Sequence, residues 1–132
     1  MKKRQVFFAG IAALVASSMV SAAGWKPGNV QRLQTSGYAE LNYGQCGMWF
    51  KPVNETVDMS ECNGTGDGQY YVTFDCGAES APTTGLTRNS ARIGYENAQI
   101  AALTDKKIVL YIEDVQVNGW CVATQTSLVF AQ

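Results

Sequence analysis

The sequence predicts a mainly β fold with one helix, in which a small curled sheet or barrel is stapled by two disulfides. The first observation is a hairpin signal: Asn118-Gly119 lies between apolar stretches, and both central residues of a type I′ turn need positive φ. The second is a helical segment that ends near Thr104, directly before the apolar strand Ile108–Ile112. The third is the set of four cysteines, an even count in a short chain.

The first 23 residues have the composition of a secretory signal peptide. Met1-Lys2-Lys3-Arg4 is basic, Val6–Ala16 is apolar, and Ser21-Ala22-Ala23 is a small-residue cleavage site. The apolar stretch is shorter than the ~20 residues that span a bilayer. We expect cleavage after Ala23, with Ala22 as the near alternative. Residues 24–132 then form a single β-rich domain, periplasmic or secreted and without a membrane span.

Charge excludes two classes of partner. Cleavage removes Lys2, Lys3 and Arg4, so the remaining 109 residues carry seven basic and eleven acidic side chains, a net charge of −4. The basic residues are scattered and form no run. Nucleic acid and anionic membrane surfaces are therefore not expected as partners.

The mature chain contains a series of short strand patterns. Trp25–Asn29 is rich in turn formers, so we expect it to be irregular and the first strand to cover Val30–Gln34. Tyr38–Tyr43 alternates between apolar and polar residues and predicts a half-buried strand. Cys46–Val53 and Tyr70–Cys76 are the next two candidates.

One antiparallel register of those two strands would place Cys46 opposite Cys76 and apolar residues on a single face. Its other pairs are Met48 with Phe74, Phe50 with Val72, and Pro52 with Tyr70. That register leaves Cys62 to bond Cys121. The alternative connectivity joins Cys46 to Cys62 and Cys76 to Cys121, and it closes a shorter first loop. The sequence leaves both open.

The connection from Asn54 to Gln69 is acidic, glycine-rich and too long for an ordinary hairpin loop, so it is either functional or simply cross-linked. Four carboxylates could be read as calcium ligands, but they do not match the EF-hand spacing: Glu55, Asp58, Glu61 and Asp67. We expect a solvated loop, no metal and no cofactor.

A helix is predicted from a cap at Asn89 or Ser90 to about Thr104. Six apolar and small residues would form its buried side: Ile93, Ala98, Ile100, Ala101, Ala102 and Leu103. In the next strand the apolar parity changes at Glu113-Asp114, which predicts a β-bulge or a sharp bend of the kind found where sheets curl into barrels.

Three features together suggest a family: Trp25 just after the signal, the helix-to-strand passage Asn97–Tyr111, and Cys121 after the last tight turn. In this order of elements the chain resembles small exported OB-fold proteins, including the receptor-binding B subunits of bacterial AB5 toxins of the subtilase-cytotoxin and pertussis-like kinds. It is also similar to uncharacterised bacterial exported proteins. The resemblance implies an OB-like barrel and a homopentamer. The acidic loop departs from those toxin subunits, and no binding residue carries over by position.

Catalysis is not expected. The chain has no histidine, which removes the commonest general base, and cysteines in disulfides are not nucleophiles. Glu113 and Asp114 are the only adjacent carboxylates, and neighbouring strand residues point to opposite faces.

A binding module fits better, with a glycan or receptor protein as partner and a homo-oligomer as one arrangement. Exposed aromatic rings with polar neighbours would form a sugar site. The candidates are Trp25, Trp49, Trp120 and Tyr71, with Tyr38, Asn42 and Gln69 as polar company. Alternatively, Trp49 and Trp120 pack the core, and the protein is a structural or protein-interaction component without a small ligand.

Overall fold

The computed structural model describes residues 23–35, 45–77, 87–117 and 120–130. The described elements are five strands and one helix: β1 (Gly24–Thr35), β2 (Cys46–Pro52), β3 (Tyr70–Thr73), α1 (Arg88–Thr104), β4 (Lys107–Val117) and β5 (Trp120–Val129). Three sequence predictions lie outside the described residues: the signal peptide as far as residue 22, the strand Tyr38–Tyr43 and the turn Asn118-Gly119.

The strands close into a barrel in the order β1-β2-β3-β5-β4, with β4 returning to β1. All neighbours are antiparallel except β3 and β5, which are parallel. The register of β4 against β5 shifts between Ile112 and Gln116, which confirms the predicted irregularity at Glu113-Asp114. The predicted fold, mainly β with one helix in a small OB-like barrel with two disulfides, is confirmed.

The prediction that Trp25–Asn29 is irregular is wrong, because β1 begins at Gly24. Its first half pairs with β4 and its second half with β2, and Gly28 takes part in both pairings. A Cβ at Gly28 would overlap the Lys51 carbonyl and the Phe50 ring. Glycine at position 28 therefore permits the close backbone approach at the point where β1 stops pairing with β4 and begins to pair with β2.

The predicted register of β2 and β3 is wrong by two residues. Met48 pairs with Val72, and Phe50 pairs with Tyr70. A shift of two keeps every side chain on its predicted face. The ladder ends at Thr73, and Asp75 beyond it has a φ of 59°, so Cys76 lies in the turn after β3 and not opposite Cys46 in the ladder.

Both disulfides follow the first of the two predicted connectivities. Cys46 bonds Cys76 with a Cα–Cα distance of 5.5 Å, and Cys62 bonds Cys121 at 5.4 Å. Cys76 reaches Cys46 from the turn after β3, where the Phe74 N–H donates to the Cys46 carbonyl at 3.0 Å. The second disulfide ties the long β2–β3 loop to the start of β5.

The barrel interior is filled by fully buried side chains of β2, β3 and β4 and of the residue after β3: Met48, Phe50, Val72, Phe74, Ile108, Leu110 and Ile112. Small residues of α1 pack on it: Ala91, Gly94, Ala98 and Ala101. A Cβ at Gly94 would lie 2.9 Å from Cδ1 of Phe74, so the helix backbone lies almost directly on that ring.

The helix differs from its prediction at its start and in its buried side. Thr87 caps it, and its Oγ1 accepts the Ser90 N–H at 3.1 Å. The larger aliphatic residues face outward, with Ile93, Ile100 and Leu103 exposed by 49%, 43% and 86%. Small residues face the barrel instead, because they allow the close approach to Phe74.

We expect both disulfides to contribute strongly to stability, since they close loops with sequence separations of 30 and 59 residues. Replacing Cys62 and Cys121 with alanine should lower the free energy of unfolding by about 2–5 kcal/mol. Urea unfolding of this double variant and of Cys46→Ala/Cys76→Ala tests the expectation. A loss well below 1 kcal/mol for either would contradict it.

Burial raises the pKa of the Asp75 carboxyl above its ordinary value of 3.8. The free energy of unfolding is therefore highest below pH 3.8, where the carboxyl is protonated in the folded and the unfolded chain. It falls as pH rises through the raised folded-state pKa, because the buried carboxyl must then ionise. Asp75→Asn, which tolerates the same positive φ, should be more stable than wild type near neutral pH, and the gap should close in acid. Urea unfolding across this range measures the gap; a gap independent of pH would refute the assignment.

Candidate functional site

Three aromatic side chains form a row across the outer face of the barrel: Trp49 on β2, Tyr71 on β3 and Trp120 on β5. Their ring centroids are 5.5 Å and 5.0 Å apart, with edge-to-face angles of 64° and 74°. Trp49 and Tyr71 pair with each other in the β2–β3 ladder. Tyr71 directly precedes Val72 and Trp120 directly precedes Cys121, and Val72 pairs with Cys121 between the parallel strands β3 and β5. Strand alternation places them opposite the interior residues.

Tyr71 is fully buried, whereas Trp49 and Trp120 are partly exposed. The tyrosine ring lies across Gly47 of β2, where a Cβ would overlap its hydroxyl and lie 2.7 Å from the Val72 carbonyl. A glycine on the neighbouring strand therefore creates the space for the middle ring. The two indoles remain accessible on either side.

Arg32 of β1 extends the aromatic row. It pairs with Trp49 in the ladder, immediately after a register shift that follows Val30. The Arg32 Cζ lies 5.2 Å from the centroid of the Trp49 ring, a cation–π contact worth about 0.5–1 kcal/mol at an exposed site. The contact fixes a cation beside a partly exposed indole.

A groove of about 320 Å³, here called the Trp49 groove, lies beside this pair. It is lined by Gln31, Arg32, Trp49, Thr65, Asp67 and Gln69. The Gln69 amide donates to Asp67 Oδ2 at 2.9 Å, and the Thr65 hydroxyl donates to Oδ1. These bonds, the Thr65 bond foremost, lower the pKa of Asp67. The groove thus offers an ionised carboxylate, a guanidinium and two amides around an indole.

The β2–β3 loop that forms one wall of the groove is held by backbone hydrogen bonds. Thr65 N–H donates to the Gln69 carbonyl at 2.8 Å, and Tyr71 N–H donates to the Asn63 carbonyl at 3.1 Å. Cys62 anchors the same loop to β5. The loop is therefore cross-linked and also contributes polar side chains to the groove.

The four carboxylates of this loop that could be read as calcium ligands do not come together with other ligands among the described residues. Nowhere among them do three or more His, Cys, Asp or Glu side chains lie close enough together to hold a metal ion. The Asp58 carboxylate accepts the Ser60 N–H at 3.0 Å, and Asp67 is bonded as described above. These carboxylates stabilise local turns.

Trp49 also carries a polar atom with no partner. Among the described residues no acceptor reaches its Nε1–H, although that atom is buried. An unsatisfied buried donor costs about 1–3 kcal/mol. The indole is therefore held in place by its ring contacts and not by a hydrogen bond.

A second cavity of about 360 Å³ lies between the end of β2 and the long loop. Its walls include Lys51, Glu55 and Tyr70, and Asp67 borders both cavities. Asp67 therefore lies between two adjoining depressions, of which only the Trp49 groove is lined by an indole.

The structure brings together three of the four predicted site residues. Trp49, Tyr71 and Trp120 form the row, but Trp25 lies on the β1–β4 side, exposed by 51% and edge-to-face with Tyr111 at 5.4 Å. The predicted polar neighbour Gln69 lines the groove. Tyr38 and Asn42 lie outside the described residues.

Sequence reasoning missed Arg32, and it considered Asp67 only as a calcium ligand. Arg32 reaches Trp49 through the β1–β2 register, which includes a bulge that no local pattern indicated. Asp67 reaches the groove through the fold of its loop. A Thr-x-Asp-x-Gln pattern at Thr65, Asp67 and Gln69 is the one local signal that could have linked these side chains.

The chain matches no protein-family model, no curated protein and no solved structure. The resemblance to AB5 toxin B subunits therefore stays a prediction from the sequence. None of the described helices is long and apolar enough to cross a membrane.

Gly47→Ala should destabilise the protein, because the added Cβ meets the Tyr71 ring and the fixed Val72 carbonyl. We expect a loss of about 1–3 kcal/mol and altered tryptophan fluorescence as Tyr71 moves. Gly66→Ala is the matched control, since nothing lies within 4 Å of a Cβ there, and it should change stability by less than about 0.5 kcal/mol. Equal effects of the two substitutions would contradict this assignment.

Proposed function

We propose that this protein is an exported, non-catalytic binding module that engages a glycan, free or carried by a receptor protein, through the Trp49 groove. The observation that carries the proposal is a partly exposed indole beside an ionised carboxylate and two amides. A pyranose has one apolar face, which stacks on an indole, and hydroxyls at its rim, which bond carboxylates and amides.

Asp67 suits the role of a hydroxyl acceptor. Its depressed pKa keeps it ionised at neutral pH, and charge-assisted hydrogen bonds are about twice as strong as neutral ones. Thr65 and Gln69 hold the carboxylate in position, so little conformational entropy is lost when a ligand binds.

The absence of catalysis is supported by the chemistry of the side chains. The sequence has no histidine, and all four cysteines are in disulfides. Glu113, one of the predicted carboxylate pair, accepts the Thr124 hydroxyl at 2.7 Å. The two disulfides fit an oxidising compartment, and with the predicted signal peptide they support a periplasmic or secreted location.

The second candidate is a structural or protein-interaction component without a small ligand. It is favoured by the exposed aliphatic residues of α1, Ile93, Ile100 and Leu103. This alternative assigns no ligand to the Trp49 groove, so glycan binding separates the two functions.

Screening on a glycan array tests the proposal. Wild type should bind a defined set of glycans, and Trp49→Ala and Asp67→Asn should each weaken that binding at least tenfold, a loss of about 1.4 kcal/mol. Trp120→Ala should also weaken it, because Trp120 supports the row through Tyr71. Trp25→Ala is the matched control and should bind as wild type does, since Trp25 lies away from the row.

Two outcomes would overturn this function. If wild type binds no glycan, the protein-interaction alternative is favoured. If it binds glycans and the Trp49 and Asp67 variants bind equally well, the site lies elsewhere. Unfolding curves of each variant show whether the fold is intact before binding is compared.

A further inference from the structure

The cavity of about 360 Å³ at the end of β2, here called the Lys51 depression, adjoins the Trp49 groove and has no part in the function proposed above. Asp67 lines both. Trp49 lines the groove and Lys51 lines the depression, and they are alternate residues of β2. Their side chains therefore leave the same outer face of the strand, about 7 Å apart along it. The groove and the depression lie side by side on one surface.

The depression lies away from the points at which the two longer undescribed segments begin. Residues 36–44 follow Thr35, which pairs with Cys46 at the first end of β2. Residues 78–86 follow Gly77, where a Cβ would lie 2.7 Å from Cδ of Gln45. The Lys51 depression is at the other end of β2, beside Pro52.

The Lys51 depression combines partly buried apolar groups with exposed polar ones. Pro52, Val57 and Tyr70 line it and are partly buried, and Val57 and Tyr70 pack against the core. Lys51 and Asn54 line it and are exposed. A pyranose has one apolar face and a rim of hydroxyls, so this lining suits a second sugar as well as the Trp49 groove suits a first.

Hydrogen bonds within the β2–β3 loop orient the polar groups of the depression. The Asn54 Oδ1 accepts the Thr56 N–H at 3.0 Å and the Thr56 hydroxyl at 2.5 Å. Because a backbone N–H only donates, these bonds identify the amide oxygen and leave the Asn54 NH₂ group to donate to a ligand. An ionised carboxylate has about four lone-pair sites, so Asp67 can accept hydroxyls in addition to its bonds from Thr65 and Gln69.

The charges that line the two depressions balance. Arg32 and Lys51 are the cations among their lining residues, and Glu55 and Asp67 are the carboxylates. Their joint surface therefore has no net charge and favours no charged ligand at long range. The short-range donors and acceptors that remain match an uncharged, hydroxyl-rich ligand.

We propose, resting on the glycan-binding function above, that the ligand is a neutral oligosaccharide of at least two sugars. One sugar stacks on Trp49 in the groove, the next lies in the Lys51 depression, and Asp67 accepts hydroxyls from both. Each volume is near the lower limit of the ~300–1,000 Å³ usual for ligand sites, and the two together lie well within that range. A sugar linked to one already bound is held at high effective concentration, so affinity rises steeply with chain length.

Titration with neutral glycans of increasing length tests the proposal. The probes are uncharged glycans on an array, each presented as a series from one sugar to four, with acid-bearing counterparts of the same length. Wild type should bind two linked sugars at least tenfold more tightly than one. Trp49→Ala should weaken binding at every length.

Two variants examine the second position separately. Lys51→Ala removes a cation, and Asn54→Asp keeps the oxygen that bonds Thr56 while replacing the NH₂ donors. Each should lower the affinity for two linked sugars at least fivefold and the affinity for one sugar less than twofold, because only the second sugar touches the depression. Lys107→Ala is the matched control, since Lys107 is exposed and lines neither depression. Unfolding curves verify that each variant is folded.

The outcomes separate this proposal from the function on which it rests. If wild type binds no glycan of any length, both are overturned. If single sugars bind as tightly as longer chains, or if the Lys51 and Asn54 variants retain the full gain with length, glycan binding stands and the second position is wrong. Tighter binding of the acid-bearing counterparts than of the neutral chains overturns the assignment of a neutral ligand.

Discussion

The barrel depends on a very short contact between β3 and β5. These parallel strands share only the pairs Val72 with Cys121 and Thr73 with Val122, yet this seam joins the β1-β2-β3 side to the β4-β5 side. Two further interactions reinforce it. The Cys62–Cys121 disulfide bonds the long loop to β5 at the seam, and the Tyr71 and Trp120 rings pack across it. The covalent and aromatic contacts thus lie where backbone pairing is weakest.

Much of the fold could be predicted from the sequence, because local patterns determine strands, turns and helix ends. Alternation gave the faces of β2 and β3, and cysteine placement left two disulfide connectivities, of which the structure has the first. The errors came from tertiary effects. In local sequence Gly28 indicates a break in secondary structure, but it lies in a strand that changes partners. β3 ends at Thr73, three residues before the predicted end at Cys76, and Asp75 beyond it has a positive φ. The aliphatic side of α1 faces outward because Gly94 must approach Phe74.

The candidate site was predictable only in part. Trp49, Tyr71 and Trp120 could be proposed from their residue type, and strand parity places the first two on one face. Nothing local predicted that Trp25 would lie on the other side of the barrel, since that depends on β1 pairing with β4 there. Arg32 and Asp67 reach the groove through a bulge and a folded loop, both of which depend on long-range contacts.

The proposed binding function would be coupled to barrel closure, because the aromatic row lies on the seam. A ligand that touches both indoles would bridge β2 and β5, which lie on opposite sides of the seam. Such a ligand stabilises the closed barrel by mass action, so saturation raises the melting temperature in proportion to the logarithm of ligand concentration. By the same linkage, reducing the Cys62–Cys121 bond would weaken the seam and so lower the affinity for such a ligand.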